Sequence, residues 1–266
     1  MRSLIGWLGG KKQLAKTLVA LLPEHETYVE VFGGAAWVLF AKEPSQFEIY
    51  NDLDGRLVAL WRSVKYHPDE FCRELAGLAP SREVFEDFRQ PPGLTEIQRA
   101  ARFFYLVRLS YGCKAQSFAP GPRNRKNLIL ARVEDDVERV RQRLERATIE
   151  RADFAEVLAR YDTEATAFFV DPPYLECEEY AVRFSAEDHA RLVEALEKVR
   201  GRWLMTYNDH PCIRDAYAAF HRYTVRADYS LPNAAGKWAP GEQLIITNYR
   251  LTKAQLAAAA KDVKPL

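Results

Sequence analysis

Hydrophobic and polar residues are distributed along the chain in a pattern that predicts strands separated by helices. Short apolar runs rich in β-branched and aromatic residues indicate strands at 27–32, 46–50, 147–150, 167–170, 202–207, 220–226 and 243–249. Segments with a helical period lie between them, at 13–22, 35–42, 55–65, 133–146, 155–161 and 185–199. This alternation is typical of an α/β fold whose mixed, mainly parallel sheet is covered by helices on both faces.

The pattern changes after residue 65. Helical segments follow one another at 69–79, 81–89 and 95–109, with no obvious strand among them. Pro80 and the Pro91-Pro92-Gly93 run separate these segments, because proline ends or kinks a helix. We therefore expect a helical insertion at 66–147 within an α/β domain formed by residues 1–65 and 148–266.

One strand ends in an unusual tetrapeptide. The apolar run 167–170 is followed by Asp171-Pro172-Pro173-Tyr174. Proline has no N–H for the sheet and restricts the preceding residue to extended conformations, so the strand stops here. A carboxylate and an aromatic ring are thus held at the carboxyl end of a buried strand, where open α/β sheets bind their ligands. Any strand can end in Asp-Pro, but the whole tetrapeptide is far more specific, and we interpret it as a functional site.

The tetrapeptide suits chemistry at the exocyclic amino group of a nucleobase. Such a nitrogen is a weak nucleophile because its lone pair is delocalised into the ring. The carboxylate of Asp171 and the main-chain carbonyl of Pro172 can each accept one of its N–H bonds, which frees the lone pair to point at an electrophile. Tyr174 offers a face on which a base removed from the helix can stack.

Two glycine-rich segments indicate where a nucleotide-like ligand binds. The strand at 27–32 is followed by Gly33-Gly34 and an apolar helix, an arrangement that brings such a ligand to a helix amino terminus. The segment is not Gly-x-Gly-x-x-Gly, so it lacks the phosphate-cradling fingerprint. Gly9-Gly10-Lys11 precedes the first helix and is a weak signal by itself.

An acidic pair follows the second strand. Asp52 lies about 20 residues beyond the end of the first strand at Glu30, where nucleotide-binding βαβ units hold ribose hydroxyls. Asp54 directly precedes the helix at 55–65, and aspartate is a preferred helix cap. We assign Asp52 to the ribose and Asp54 to the cap, and the two acids can exchange these roles.

A long basic stretch is the best candidate for a phosphate-binding surface. Eight Lys or Arg residues and no Asp or Glu lie between residues 99 and 132, in a chain whose net charge is only +1. The predicted DNA contacts among them are Arg108, Lys114, Arg123, Arg125 and Lys126. Tyr111 and Phe118 lie in the looser segment 110–127 and are candidates for contacts with bases.

The composition is that of an ordinary globular protein. The 266 residues include 48% hydrophobic and 28% charged residues, enough for one large α/β domain or one domain with an insertion. The four cysteines form no Cys-x-x-Cys pair and have no histidines at metal spacing, so we expect reduced thiols and no metal site. The apolar run Leu4 to Leu8 is too short for a signal peptide, and no run reaches membrane-spanning length. We expect a cytoplasmic protein with no membrane partner.

The motifs together resemble those of the Dam-like (D12 class) DNA adenine-N6 methyltransferases. Trp7, Gly9, Gly10 and Lys11 match the Trp-x-Gly-Gly-Lys segment of that family, and Asp-Pro-Pro-Tyr matches its catalytic tetrapeptide. The segment 102–112 is similar to the one that opens the family's target-recognition region, although Val107 replaces a common Asn. The order of donor site, insertion and tetrapeptide is that of this group.

The resemblance implies a class I (Rossmann-like) methyltransferase fold, S-adenosylmethionine as methyl donor, and N6 of an adenine flipped out of double-stranded DNA as acceptor. It implies no metal, and a monomer that is paired in some cases with a restriction system. The implied catalytic residues are Asp171, Pro172, Pro173 and Tyr174. The implied donor-binding residues are Trp7, Gly10, Lys11, Glu30, Phe32, Gly33, Gly34, Asp52, Asp153, Phe154 and Asp171.

Several roles stay open at this point. Trp7 packs against the donor or belongs to the core, and Lys11 pairs with the donor's carboxylate or with a nearby acid. Asp153, which with Phe154 would line the pocket for the donor's adenine, is equally suited to cap the following helix. The rival functions are a cytosine-N4 methyltransferase, an enzyme acting on RNA or protein, and a catalytically inactive DNA-binding relative.

Overall fold

A computed structural model describes residues 1–7, 9–90, 95–119, 130–174, 184–228 and 240–266. The strands are β1 (Thr27–Glu30), β2 (Phe47–Asn51), β3 (Ala147–Glu150), β4 (Thr166–Val170), β5 (Arg202–Asn208), β6 (His221–Asp228), β7 (Pro240–Thr247) and β8 (Val263–Pro265). In the described residues they form one sheet in the order β3-β2-β1-β4-β5-β7-β6-β8. Strands β1 to β5 run parallel. Strand β7 pairs antiparallel with β5, β6 pairs antiparallel with β7, and β8 pairs antiparallel with β6. The predicted mixed, mainly parallel sheet is confirmed.

The helices are α1 (Ala15–Leu21), α2 (Trp37–Ala41), α3 (Gly55–Tyr66), α4 (Pro68–Leu75), α5 (Arg82–Arg89), α6 (Glu96–Leu109), α7 (Leu130–Leu144), α8 (Phe154–Tyr161), α9 (Ala186–Lys198), α10 (Pro211–Ala216) and α11 (Lys253–Ala258). A short 3₁₀ turn at Tyr111–Cys113 follows α6. Among the described residues, no helix has both the length and the apolar character needed to cross a membrane.

Strand β4 lies in the middle of the sheet, which explains why four of its five residues are apolar. All five of its residues are buried. Because side chains alternate across a strand, Phe169 belongs to the core on one face of the sheet, while Phe168 and Val170 belong to the core on the other face. Helices α1 to α4, α6 and α7 contribute to the first core, and α8, α9 and α10 contribute to the second.

The helices of the predicted insertion share the core of the sheet. Phe71 of α4, Phe104 of α6 and Val137 of α7 lie in the same cluster of buried residues as Tyr28 of β1. Among the described residues of this region, a small outer cluster, which includes Phe85 of α5 and Tyr105 of α6, is separate. The packing between this region and the sheet is therefore continuous, and the division at residues 66 and 147 stays a prediction based on sequence.

The carboxyl-terminal tail is held by contacts with distant parts of the chain. Thr252 caps α11, and β8 pairs with β6 as an edge strand. The side chain of Gln255 donates hydrogen bonds to the carbonyls of Leu21 and Leu22, at 2.9 and 3.1 Å, which ties the tail to the end of α1. The alanine- and lysine-rich composition gave no sign of these distant contacts.

Candidate active site at the carboxyl edge of the sheet

The carboxyl ends of β1, β2 and β4 open into a deep cleft. Its empty volume of about 1030 Å³ includes the space open to solvent at its mouth. Every residue predicted to bind the donor lines this cleft, as does Pro173 of the tetrapeptide: Trp7, Gly10, Lys11, Glu30, Phe32, Gly33, Gly34, Asp52, Asp153, Phe154 and Asp171. The structure thus brings together residues that lie far apart in the sequence.

Asp171 is held between two hydrogen-bond donors. The ammonium of Lys11 donates to Oδ2 of Asp171 at 2.7 Å, and the hydroxyl of Thr206 donates to Oδ1 at 2.7 Å. Burial raises the pKa of Asp171, and both Lys11 and Thr206 oppose this effect. Of the two roles left open for Lys11, the structure shows the pairing with a nearby acid. Thr206 was not recognised from the sequence.

Tyr174 packs on aromatic side chains beneath the tetrapeptide. Its ring lies 4.7 Å from the ring of Tyr207, at an angle of 42°, and 5.3 Å from the ammonium of Lys11. The hydroxyl of Tyr207 in turn lies 3.0 Å from Nε2 of His189 on α9. Pro172 is buried, while Tyr174 keeps part of its surface exposed. The ring therefore packs on Tyr207 and is partly exposed.

Glu30 closes the floor of the cleft at the end of β1. Its Oε1 accepts hydrogen bonds from the main-chain N–H of Leu39, at 2.7 Å, and from the hydroxyl of Tyr28, at 3.0 Å. In the described part of the chain, Oε2 is buried and has no hydrogen-bond partner. Burial raises the pKa of Glu30 to about 8, against the opposing effect of these hydrogen bonds. An orphan carboxyl oxygen here fits a cationic or hydrogen-donating ligand.

The structure tests one of the two roles assigned to the acidic pair after β2, the helix cap. Asp54 caps α3, because its Oδ1 accepts from the N–H of Arg56 at 2.9 Å. Asp52 lines the cleft and accepts from the N–H groups of Gly34 and Asp54, each at 2.8 Å. Burial raises the pKa of Asp52 to about 6. That Asp52 binds a ribose stays a prediction.

The glycine turn after β1 leaves no room for a side chain. A Cβ atom at Gly33 would lie 2.2 Å from Cε2 of Tyr50, far inside van der Waals contact. Gly34 has a positive φ of 49°, which favours glycine. Trp7 packs near this turn, and its ring lies 5.7 Å from that of Phe103. Trp7 therefore lines the cleft and contacts the core as well.

Three phenylalanine rings form an apolar corner of the cleft. Phe32, Phe154 and Phe184 lie pairwise 5.6 to 5.7 Å apart. Asp153 caps α8 through the N–H of Ala155 at 2.9 Å, and it also lines the cleft, so its two proposed roles are compatible.

Arg191 of α9, which the sequence did not indicate, packs over this corner. Its guanidinium donates to Asp153 at 2.9 Å and lies 4.9 Å from the ring of Phe154.

The predicted DNA contacts are only partly described. Arg123, Arg125 and Lys126 lie outside the described residues. Arg108 is partly buried, and its guanidinium lies 4.9 Å from the ring of Phe104, so it packs against the body of the protein. Lys114 lies in the turn after α6 and is half buried.

Of the two aromatic candidates for base contacts, only one is exposed. Tyr111 is 55% exposed, whereas Phe118 packs against Phe85 at 5.4 Å. Phe118 is partly buried, and its ring packs against the outer cluster beside α5 and α6, so its contact with bases stays a prediction.

The sheet order, the glycine turn after β1 and the ligand cleft at the carboxyl edge define a class I methyltransferase. The chain belongs to the D12 class of N6 adenine-specific DNA methyltransferases, whose sequence profile matches residues 7–231. It is therefore an adenine-specific DNA methyltransferase by family.

Characterised relatives match over nearly the whole chain. The type II methyltransferase M1.LlaDCHI of Lactococcus lactis subsp. cremoris is 25% identical, over 94% of this chain and 96% of its own length. The DNA adenine methylase of Escherichia coli K12 is also 25% identical, over 92% and 94% of the two chains. The retron Ec67 DNA adenine methylase of Escherichia coli is 26% identical, over 92% and 90%.

Proposed function

We propose that this chain transfers a methyl group from S-adenosylmethionine to N6 of an adenine that is flipped out of double-stranded DNA. The observation that carries the proposal is the fixed carboxylate of Asp171 at the mouth of the cleft. The Lys11 and Thr206 bonds hold it near Tyr174, on whose partly exposed ring a flipped base would stack. Membership of the D12 class indicates that the target base is adenine and that the methylated atom is N6.

The charge of the cleft fits the methyl donor. Six of its lining residues carry a carboxyl group and one, Lys11, is basic; Glu30, whose pKa is raised to about 8, keeps its proton at neutral pH, and the other acids are Asp52, Asp54, Asp153, Asp171 and Asp188. S-adenosylmethionine carries a sulfonium and an ammonium against a single carboxylate, so it is a net cation that this surface attracts. The orphan Oε2 of Glu30 and the corner of three phenylalanines suit its polar and aromatic parts. The residues present therefore fit this donor.

The chain's own residues prepare the acceptor nitrogen. When bound, the donor supplies a methyl group that its sulfonium already activates. The carboxylate of Asp171 accepts one N6–H bond and the carbonyl of Pro172 accepts the other, so the nitrogen lone pair turns out of the plane of the ring. Tyr174 holds the base by stacking.

The methylated nucleoside decides this proposal. The protein is incubated with unmethylated double-stranded DNA and donor labelled in its methyl group, and the DNA is digested to nucleosides. Label in N6-methyl-2′-deoxyadenosine supports the proposal, label in N4-methyl-2′-deoxycytidine shows that cytosine is the acceptor instead, and no label refutes the proposal. Asp171→Ala is the matched variant, and its rate should fall by roughly 100- to 1,000-fold, as for the loss of one oxyanion-hole donor.

We further propose that the protein acts as a monomer beside a restriction enzyme. The name of the type II methyltransferase among its relatives supports this role, whereas the other relatives are named DNA adenine methylases. Sedimentation measures the oligomeric state. Digestion of the methylated DNA with a panel of restriction enzymes shows which recognition sites the methylation protects.

A further inference from the structure

We infer that Thr206 is a positioning residue for methyl transfer: its hydroxyl holds the Asp171 carboxylate in the orientation that accepts the amino group of the target base. The inference rests on the proposed function, in which Asp171 is that acceptor. Thr206 lies on β5, and its Oγ1 donates to Oδ1 of Asp171 at 2.7 Å. Its relative exposure is 0%, so the bond is shielded from competition by water.

The register of the sheet explains why these two residues meet. Strands β4 and β5 are parallel, with Val170 opposite Met205, so the next residues, Asp171 and Thr206, lie side by side. Side chains at paired positions of neighbouring strands project to the same face. Thr206 is also fixed from its other side, because β5 pairs with β7. The hydroxyl therefore approaches Asp171 from a rigid element in the middle of the sheet.

Two donors acting on different oxygens fix the carboxylate more firmly than one. An ionised carboxylate only accepts, and its two oxygens offer about four sites for hydrogen bonds. Lys11 uses a site on Oδ2 and Thr206 uses a site on Oδ1, which leaves each oxygen capacity for a substrate N–H. Rotation of the carboxylate would break one of these charge-assisted bonds. The acceptor is thus oriented before the base arrives, which is the condition for catalysis by positioning.

The same hydroxyl favours the ionised form of Asp171. Lys11 from the amino-terminal segment is the cation that faces this carboxylate, and Glu30 of β1 and Asp52 of β2 line the same cleft. Burial raises the pKa of Asp171, whereas Lys11 and the Thr206 hydroxyl lower it. Loss of the hydroxyl should therefore raise the pKa of Asp171. A residue that merely fills space would not have this effect.

Two substitutions and one matched control separate positioning from packing. Thr206→Val removes the hydroxyl and keeps the shape, and Thr206→Ser keeps the hydroxyl. Thr247→Val is the control, because Thr247 on the neighbouring β7 is also 0% exposed, but its hydroxyl donates to the carbonyl of Tyr249 at 2.6 Å. We expect Thr206→Val to lower kcat about 10- to 100-fold with little change in KM, the effect of losing a hydrogen bond to a charged group. Thr206→Ser should retain most of the rate, and Thr247→Val should match the wild type.

A titration that needs neither DNA nor donor tests the hydrogen bond itself. The carboxyl carbons of ¹³C-labelled aspartate are followed by NMR against pH, and Asp171→Asn identifies the signal of Asp171. The pKa of Asp171 should be higher in Thr206→Val than in the wild type and unchanged in Thr247→Val. An unchanged pKa, or an unchanged kcat in Thr206→Val, overturns the inference. A wild type that methylates no adenine overturns the proposed function instead, and the titration still decides whether Thr206 holds Asp171.

Discussion

Replacing Glu30 by glutamine should remove a pH dependence from the stability of this protein. The side chain is 1% exposed, and burial raises its pKa from an ordinary value of 4.5 to about 8, against the hydrogen bonds from Leu39 and Tyr28. Between pH 4.5 and 8 the folded state therefore keeps a proton that the unfolded state has released. Stability falls as pH rises through this window and is level above it.

The size of this effect follows from the two pKa values. Each pKa unit corresponds to about 1.36 kcal/mol, so Glu30 alone lowers the free energy of unfolding by up to about 5 kcal/mol on going from pH 4.5 to above pH 8. Glutamine cannot ionise, but its NH₂ group would occupy the place of Oε2, which has no partner among the described residues. That unpaired group costs about 1–3 kcal/mol at every pH. The variant should thus be less stable than the wild type at acidic pH and should gain on it as pH rises.

Urea unfolding at several pH values between 5 and 8.5 measures how the difference in unfolding free energy between the wild type and Glu30→Gln changes with pH. Glu48→Gln is the control, because the contribution of Glu48 to stability should change with pH in the opposite direction. Glu48 on the adjacent strand is equally buried, but hydrogen bonds from Arg143 and Lys42 outweigh its burial and leave its pKa below the ordinary value. Glu48 therefore stabilises the protein above its unfolded pKa and loses this contribution on acidification. Parallel stability curves for the wild type and Glu30→Gln would show that Glu30 is already ionised in the folded state.

The remaining predictions concern the donor and the DNA. Asp52→Ala should weaken binding of S-adenosylhomocysteine by about 1.5–3 kcal/mol in calorimetry, while Asp54→Ala should cost about 1 kcal/mol of stability as a lost helix cap and leave that affinity unchanged. The reverse pattern would mean that the two acids have been assigned the wrong way round. Replacing Arg123, Arg125 and Lys126 together by glutamine should weaken binding to every DNA sequence and flatten the slope of log affinity against log salt by roughly two to three. An unaltered slope would place the phosphate contacts elsewhere, and a loss confined to one site would assign these residues to base readout.

Much of the fold was predictable because its signals are local. The strand β4 is a continuous apolar run ended by Pro172 and Pro173, and β1 is ended by the Gly33-Gly34 turn. Asp54 is a helix cap whose partner lies two residues away. Such features depend on neighbours in the sequence, so pattern and turn chemistry are enough to find them.

The features that were missed depend on contacts between distant segments. Thr206 is an ordinary residue of a buried strand until β5 is known to lie beside β4 in a given register. The tail after residue 252 is ordered by contacts with α1, more than 200 positions earlier in the chain. Sequence patterns do not contain this information, because strand order and register are set by the packing of the whole domain.

The Lys11–Asp171 ion pair shows why the amino-terminal segment and the tetrapeptide work as one unit. Both side chains are largely buried, with relative exposures of 4% and 16%, and a buried ion pair seldom stabilises a fold more than apolar residues would. We therefore infer that this ion pair serves the proposed reaction rather than the stability of the fold. Without Lys11, burial in a cleft lined by acids would favour the protonated form of Asp171, which could accept fewer hydrogen bonds. Lys11 supplies a charge and Thr206 a second hydrogen bond to this carboxylate, so we expect the proposed activity of the tetrapeptide to depend on these two residues outside it.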